Sequence, residues 1–159
     1  MQVVVDVGNT ETVVGLVDGT TEMVAHWRVS SVVPRTVDEL HALIGAMMDG
    51  SGVDRQRIER GVVGSVVPTT TTTWVRMLER LLNRPVATVG PSSPLPITLQ
   101  VDEPLTVGAD RIVNTLAARE MYGRDTIAVD LGTATTYDCI TADGVFLGGV
   151  IAPGLPAGL

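Results

Sequence analysis

Lysine is absent from this chain of 159 residues, so all eleven basic side chains are arginines. Walker-type phosphate loops, Schiff-base enzymes and lysine-dependent kinase sites each need an ammonium group, and the sequence therefore excludes them. Any phosphate that binds here must be held by backbone N–H groups, hydroxyl groups, arginine or a metal ion.

Positive charge and cysteine are both scarce. Eighteen acidic residues against eleven basic ones give a formal net charge of −7, so binding to nucleic acid or to an anionic membrane is not expected. Cys139 is the single cysteine, which excludes a disulfide framework and predicts a reducing compartment, the cytoplasm. Charged residues interrupt the apolar runs, so neither a signal peptide nor a membrane span is predicted.

Two segments of the chain share one pattern, an apolar strand that ends in aspartate and is followed by glycine and small polar residues. The first is Val3-Val4-Val5-Asp6-Val7-Gly8-Asn9-Thr10, and the second is Ile127-Ala128-Val129-Asp130-Leu131-Gly132-Thr133-Ala134-Thr135. Glycine permits a sharp turn and the close approach of a ligand. The following N–H groups can face a phosphate while the carboxylate holds a cation. The pair predicts a nucleotide gripped from both sides; two unrelated hairpins are the alternative.

The similarity continues beyond the two turns. Val5–Gly8 corresponds to Val129–Gly132 at an offset of 124 residues, and Asp18-Gly19 corresponds to Asp143-Gly144 after a slip of one residue. Strand, loop, strand, Asp-Gly turn and strand therefore occur twice, which predicts a duplicated unit.

Helices are predicted between these two sets of strands, where they would cover a mixed sheet. No Gly-x-Gly-x-x-Gly motif supports a dinucleotide-binding fold. The Thr69–Thr73 run is interpreted as a loop and helix cap, and Ile112, Val113, Leu116 and Ala117 as the inward face of the third helix. The predicted order is strands 2–6, 12–18 and 23–30, helix 36–49, strand 61–67, helix 74–82, strand 85–90, a proline-rich connection 91–104, helix 110–121, and three further strands from residue 126.

A third chemically informative segment is Val107-Gly108-Ala109-Asp110-Arg111, at the predicted start of a helix. Asp110 is well placed as an N-cap, a role that needs no other function. The adjacent Arg111 and the helix N-terminus, which attracts anions, favour a second role. The Asp110 carboxylate could accept a proton from an attacking hydroxyl, as the catalytic aspartate of kinases does.

Six motifs, taken together, resemble the type III pantothenate kinases of the superfamily that contains actin, sugar kinases and Hsp70. The resemblance covers all 159 residues and implies a ribonuclease H-like (actin-like ATPase) α/β fold with duplicated mixed sheets and helices on their faces, the second copy being incomplete. It implies a first domain at 1–122 and the start of a truncated second domain at 123–159. The motifs are Asp6–Thr10, Trp27–Ser30, Ser65–Pro68, Gly108–Asn114, Asp130–Thr135 and Gly148–Gly154.

The resemblance also implies a function. This is the ATP-dependent phosphorylation of pantothenate to 4′-phosphopantothenate, the first step of coenzyme A biosynthesis, by a cytoplasmic homodimer. Asp110 would be the general base, with pantothenate held by Gly108, Ala109, Asp110 and Arg111. Asp6 would lie near the Mg²⁺ of ATP, and Asp130 would bind a monovalent cation, K⁺ or NH₄⁺. The implied ATP-binding residues are Asp6, Val7, Gly8, Asn9, Thr10, Glu11, Thr12, Val13 and Thr133.

Departures from the family pattern leave alternatives open. Glu11 adds a negative charge to the first loop, and Ser92–Pro96 stands where relatives usually carry Arg- or Lys-Thr-Gly. The altered Ser92–Pro96 segment and the short length favour a catalytically silent regulatory or nucleotide-sensing homologue on the same fold, whereas the intact Asp6, Asp110 and Asp130 disfavour it. A phosphotransferase of the acetate-kinase or sugar-kinase type is the third possibility.

The C-terminal segment from Gly144 to Leu159 carries no charge over sixteen residues. An apolar strand and loop of this length would expose an adhesive surface unless something covers it. Members of the family are also much longer. The sequence therefore predicts a truncated chain, with cover supplied by a missing continuation or by a partner subunit.

Overall fold

The computed structural model describes residues 1–19 and 22–154, and the chain forms two compact units, Met1–Val89 and Gly90–Leu159. The last five residues of the uncharged C-terminal segment, 155–159, lie outside the described residues. The predicted domains, 1–122 and 123–159, divide the chain at a different place and stay a prediction. Among the described residues, no helix combines the length and the apolar character needed to cross a membrane.

The first unit is a five-stranded mixed sheet with two α-helices. Its strands lie in the order β3-β2-β1-β4-β5, with β1 antiparallel to β2 and parallel to β4. The elements are β1 Gln2–Val7, β2 Glu11–Asp18, β3 Glu22–Ser30, α1 Val37–Gly50, a short 3-10 helix Arg55–Arg57, β4 Arg60–Ser65, α2 Pro68–Leu82 and β5 Ala87–Val89.

The core of this unit follows from the alternation of valines along β1. Val3, Val5 and Val7 point to one face and are buried, where they meet apolar side chains of both helices. Burial of such side chains is the main favourable term in folding, at about 25 cal/mol per Å² of apolar surface. The core thereby fixes the end of β1, and with it the first Asp-x-Gly turn. The helical residues of the core are Leu40, Ile44, Met48, Trp74, Met77, Leu78 and Leu82.

Helix α1 begins with the predicted capping box. The Thr36 hydroxyl accepts a hydrogen bond from the Glu39 N–H at 3.3 Å, and the Thr36 N–H donates to the Glu39 carboxylate at 2.7 Å. Both bonds satisfy N–H groups that a helix start leaves without intrahelical partners. The hydrogen bonds from the Thr36 N–H and then the Thr36 hydroxyl lower the pKa of Glu39, with Arg35 adding to the effect.

This shift predicts a pH dependence of stability. The folded pKa of Glu39 lies below the ordinary value of 4.5, so its stabilisation is complete above that pH and is lost as pH falls through the folded pKa. The unfolding midpoint is therefore expected to fall between about pH 6 and about pH 3, and to fall less in Glu39→Gln. Circular dichroism melts of both proteins measure the difference. Identical pH profiles would contradict the role given to Glu39.

Helix α2 is longer than predicted. It begins at Pro68, so the Thr69–Thr73 run is helical and its interpretation as a loop was wrong. Proline suits the first helical position because its missing N–H has no intrahelical partner there. The Thr71 hydroxyl donates to the Val67 carbonyl at 2.9 Å, which lets a β-branched polar residue sit in the first turn.

The second unit has a four-stranded mixed sheet in the order β6-β9-β8-β7 and one α-helix. Strand β6 is parallel to β9, and β8 is antiparallel to both of its neighbours. Two mixed sheets with helices confirm the predicted α/β class. The elements are β6 Thr98–Leu99, a 3-10 helix Pro104–Thr106, α3 Ala109–Tyr122, β7 Thr126–Leu131, β8 Ala134–Ile140 and β9 Val145–Pro153.

The duplication predicted from the sequence is present in the backbone of both units. Strand β7 lies 124 residues after β1 at both of its ends, and each pairs antiparallel with the strand that follows it. Asp6 and Asp130 occupy corresponding places in β1 and β7, and their strand partners, Val13 and Thr136, show that the second hairpin loop is one residue shorter. The two Asp-x-Gly turns are therefore hairpin loops that differ in length by one residue.

Helix α3 turns a different face inward from the one predicted. Ile112 and Thr115 are buried, whereas Val113 is 43% exposed. The Thr115 hydroxyl donates to the Arg111 carbonyl at 2.7 Å, so a buried polar side chain is satisfied within the helix itself. The prediction that Val113 and Ala117 point inward was wrong, whereas the predicted burial of Ile112 is confirmed.

Candidate active site

The first Asp-x-Gly turn joins β1 to β2 in a tight hairpin. The Gly8 N–H donates to the Glu11 carbonyl at 3.0 Å, and a Cβ atom at Gly8 would lie 2.9 Å from that oxygen. Since a real side chain would collide with fixed backbone, this position requires glycine. Asp6, Asn9 and Thr10 are exposed around the turn. The turn is therefore a tight polar loop with the Asp6 carboxylate beside it.

The additional carboxylate of this loop has a partner. Arg28 Nη1 donates to Glu11 Oε2 at 2.8 Å, and both side chains are more than half exposed. An exposed pair of this kind contributes at most about 1 kcal/mol to stability. Its effect is local: the guanidinium of Arg28 offsets the negative charge that Glu11 brings into a predicted phosphate site.

The remaining residues of the first predicted loop enter strand β2. Thr12 is fully buried, and its hydroxyl forms a hydrogen bond of 2.8 Å with the Ser31 hydroxyl. Val13 is half-buried. Within this loop, Asp6, Asn9, Thr10 and Glu11 therefore present the exposed side chains, while contact of ATP with every residue from Asp6 to Val13 stays a prediction.

The second Asp-x-Gly turn is also closed by its glycine N–H, but over a shorter span, since the acceptor is the second residue after the glycine and not the third. The Gly132 N–H donates to the Ala134 carbonyl at 3.0 Å, and Thr133 is exposed beside it. Gly154 packs so closely on the carbonyl oxygens of Gly132 and Thr133 that a Cβ atom there would overlap both. The turn is thus held from outside by the residue that follows β9.

Asp130 is tied to helix α3. Its Oδ2 accepts a hydrogen bond of 3.0 Å from Asn114 Nδ2, which fixes one oxygen of an otherwise exposed carboxylate. The sequence prediction missed Asn114. Its signal was present as a polar residue one helical turn after Asp110, on the same face of the helix. Asp130 and the helix that carries Asp110 are therefore joined directly within the second unit.

The start of α3 differs from the prediction. Gly108 is the N-cap and makes no side-chain capping bond, whereas Asp110 lies in the first turn. The prediction that Asp110 is the N-cap was therefore wrong. Its Oδ1 accepts a hydrogen bond from the Arg111 N–H at 2.7 Å, and the residue is half-buried. A carboxylate in the first turn interacts favourably with the helix dipole. Because Asp110 does not cap the helix, its carboxylate is available for other chemistry.

Arg111 is fixed by residues that the sequence prediction also missed. Its Nε donates to Asp138 Oδ1 at 2.7 Å, and its guanidinium lies 5.5 Å from the centre of the Phe146 ring. Asp138 is 1% exposed. The signal was a single charged residue inside the otherwise uncharged strand β8, since a buried carboxylate needs a partner.

A divalent metal site built from protein side chains alone is not formed by the part of the chain that the structure describes, where no three His, Cys, Asp or Glu residues cluster. Mg²⁺ in nucleotide sites differs, because it keeps several waters and uses one or two carboxylates together with phosphate oxygens. The exposed Asp6 carboxylate beside a glycine turn fits that mode. Each loop lies in its own compact unit, and their mutual approach across a nucleotide stays a prediction.

Comparison with known proteins places these features in a family context. A family model described as type III pantothenate kinase matches residues 2–159. A type III pantothenate kinase of Ruegeria sp. (strain TM1040) is 44% identical over 98% of this chain and 59% of its own length. One of Moorella thermoacetica is 41% identical over 98% of this chain and 61% of its own length. The chain thus spans about three fifths of the length of these relatives.

Solved structures with low sequence identity show the same fold. The ethanolamine utilization protein EutJ from Carboxydothermus hydrogenoformans matches 96% of this chain and 52% of its own with a TM-score of 0.55 at 16% identity. A ROK family glucokinase from Streptomyces griseus, solved with glucose and AMPPNP, matches 96% of this chain and 47% of its own with a TM-score of 0.51 at 17% identity. The predicted actin-like and sugar-kinase fold is confirmed.

Proposed function

Because the chain belongs to the type III pantothenate kinase family, we propose that it carries out the ATP-dependent phosphorylation of pantothenate to 4′-phosphopantothenate. One observation carries the proposal beyond family membership. Two Asp-x-Gly turns, each closed by a hydrogen bond from its glycine N–H to a backbone carbonyl, end corresponding strands, and a carboxylate and an arginine lie side by side in the first turn of α3. The turns suit a polyphosphate, and the helix start suits an acceptor alcohol.

The first turn is the proposed site for the phosphates of ATP. Its glycine-built backbone is narrow enough for close approach, and the exposed Asn9 and Thr10 side chains offer hydrogen bonds. Asp6 would hold Mg²⁺ through its carboxylate. When bound, this ion neutralises charge that develops on the phosphate oxygens. In a chain without lysine, arginine and backbone N–H groups supply the remaining positive potential.

The second turn is the proposed contact of ATP through Thr133 and of a monovalent cation, K⁺ or NH₄⁺, through Asp130. The hydrogen bond from Asn114 orients the Asp130 carboxylate at 3.0 Å. An oriented oxygen ligand suits a hard cation, because the protein has already given up the freedom of that side chain. Gly154 maintains the turn by contact with the Gly132 and Thr133 carbonyls.

Gly108 to Arg111 is the proposed pantothenate site, with Asp110 as general base. Asp110 accepts the proton of the primary hydroxyl of pantothenate while that oxygen forms a bond to the γ-phosphorus of ATP. The bond from this phosphorus to the bridging oxygen breaks, and ADP leaves with that oxygen. Arg111 has only donors and therefore binds oxygen acceptors of pantothenate.

Three further parts of the proposal derive from the family resemblance: a homodimer, the monovalent cation and a cytoplasmic location. The lone Cys139 supports a reducing compartment. An exposed apolar face of the second sheet agrees with either cover that the sequence left open, a continuation of the chain or a partner subunit. Its exposed residues on neighbouring strands are Ile127, Val129, Leu131, Tyr137 and Val150.

A phosphotransfer assay with mass detection tests the function. The purified chain is expected to form ADP and 4′-phosphopantothenate only when ATP, Mg²⁺ and pantothenate are all present. Glucose and acetate in place of pantothenate serve as control acceptors for the sugar-kinase and acetate-kinase alternatives. ATP binding without any pantothenate-dependent ADP formation would instead support a nucleotide-sensing homologue.

A further inference from the structure

The Arg111 side chain lies in a closed environment built by three elements of the second unit. Asp138 Oδ1 of β8 accepts a hydrogen bond from Arg111 Nε at 2.7 Å. The ring centre of Phe146 in β9 lies 5.5 Å from the guanidinium carbon. Side-chain exposure is 16% for Arg111 and 1% for Asp138. An arginine next to the proposed catalytic carboxylate is therefore immobilised before any substrate binds.

Gly149 of β9 completes this environment. A Cβ atom at Gly149 would overlap the Tyr137 carbonyl and would lie 2.6 Å from Asp138 Oδ1 and 2.9 Å from Arg111 Nη2. The ion pair thus occupies the space that a side chain would otherwise take. Both the Tyr137 carbonyl and the ion pair therefore leave room only for glycine at this position.

A contribution to folding stability does not by itself explain this buried ion pair. Both Nε and Nη2 of Arg111 converge on the same oxygen, Asp138 Oδ1, at 2.7 and 2.5 Å. Arg111 Nη2 is in ionic contact with Oδ1 but makes no hydrogen bond to any described residue, and the buried Asp138 Oδ2 has no hydrogen-bond partner among these residues either. A buried pair stabilises a fold only when its geometry is good and its remaining atoms are satisfied. An incompletely satisfied buried pair calls for an explanation other than stability, such as a role in function.

We propose that Asp138 is a positioning residue, which fixes the Arg111 guanidinium for binding of pantothenate, with Gly149 and Phe146 as the walls that keep it there. The inference rests on the proposed function. An arginine with several rotatable bonds loses conformational freedom when it binds a ligand. Asp138 restricts the Arg111 side chain before pantothenate binds, so little conformational entropy of Arg111 is lost on binding.

Isothermal titration calorimetry of the chain with pantothenate tests the inference. Asp138→Asn keeps the shape of the side chain and removes its charge, and is expected to raise the Kd for pantothenate by about tenfold. The Kd for ADP should stay within about twofold. Glu120→Gln is the matched control, since it removes the exposed pair with Arg119 on the same helix. A purely structural role would change the unfolding midpoint and leave the pantothenate Kd of the folded protein unchanged.

A double-mutant cycle identifies the route of the effect. If Asp138 acts through Arg111, then Asp138→Asn weakens pantothenate binding in the wild-type background but not in Arg111→Ala. Additive effects of the two changes would overturn the inference.

The two proposals fail in different ways. A wild-type chain that binds pantothenate, together with an unchanged Kd in Asp138→Asn, overturns the positioning role and leaves the proposed function standing. A wild-type chain that does not bind pantothenate removes the function and the inference together. In that case, the Arg111 Nε–H signal in NMR spectra of Asp138→Asn still reports whether Asp138 immobilises the guanidinium.

Discussion

Replacement of Asp110 by asparagine is expected to lower the turnover of pantothenate by a factor of about 10² to 10⁴. Asparagine keeps the size of the side chain but cannot accept the hydroxyl proton at neutral pH. Because Asp110 is not the N-cap of α3, the change removes a base without removing a helix cap. Steady-state kinetics measure kcat, and calorimetry measures the Kd for ATP, which should stay within about twofold of the wild-type value.

Asp102→Asn is the control for this experiment. Asp102 is an exposed acidic residue seven positions before α3 begins, so the same chemical change there should leave kcat unaltered. Full activity of Asp110→Asn would refute the role of Asp110 as the general base. A loss of ATP binding as large as the loss of kcat would show that the residue acts on the nucleotide instead.

Replacement of Gly154 by alanine is expected to have the largest effect on the second turn. The added methyl group would overlap the backbone carbonyls of Gly132 and Thr133, which cannot move away as a flexible side chain could. Insertion of a methyl group into a packed site costs about 1–3 kcal/mol, and backbone overlap places this change at the upper end. Thr133 would also be displaced, so affinity for ATP should fall by about tenfold or more.

Gly90→Ala is the matched control, because a Cβ atom at Gly90 meets nothing within 4 Å. Denaturant unfolding of both variants measures the free-energy change, and calorimetry measures the Kd for ATP. Equal stability of Gly154→Ala and Gly90→Ala would show that the turn does not depend on its contact with Gly154. A loss of stability without a change in the Kd for ATP would show that the shape of this turn does not determine the affinity for ATP.

The hairpins could be predicted from the sequence because their signals are local. A run of β-branched residues predicts a buried strand, and aspartate with glycine after it predicts a turn. Repetition of both signals at a constant offset removed most of the ambiguity of a single Asp-x-Gly. The capping box of α1 was equally local, since Thr36 and Glu39 lie within one helical turn.

The errors of prediction arose where context decided the structure. A threonine run has low helix propensity, yet Thr71 enters α2 because Pro68 starts the helix and the Val67 carbonyl accepts the threonine hydroxyl. The inward face of α3 was misplaced because Thr115 is polar by composition but satisfied by the Arg111 carbonyl.

The parts of the site that escaped prediction depend on contacts distant in sequence. Arg111 and Asp138 are 27 positions apart, and Asn114 and Asp130 are 16 apart. Neither spacing is a recognisable pattern, because both pairs are created by the packing of α3 on the second sheet. The family motifs indicated which positions matter chemically, and the structure identified the residues that hold them.

Closure of the two glycine turns by backbone atoms has a consequence for protein engineering. Each turn is closed by a glycine N–H and a backbone carbonyl, and no side chain takes part in that bond. The side chains at Asn9 and Thr133 can therefore be exchanged without removal of the bond that closes either loop. The ligand preference of each turn is in this way separable from its backbone shape.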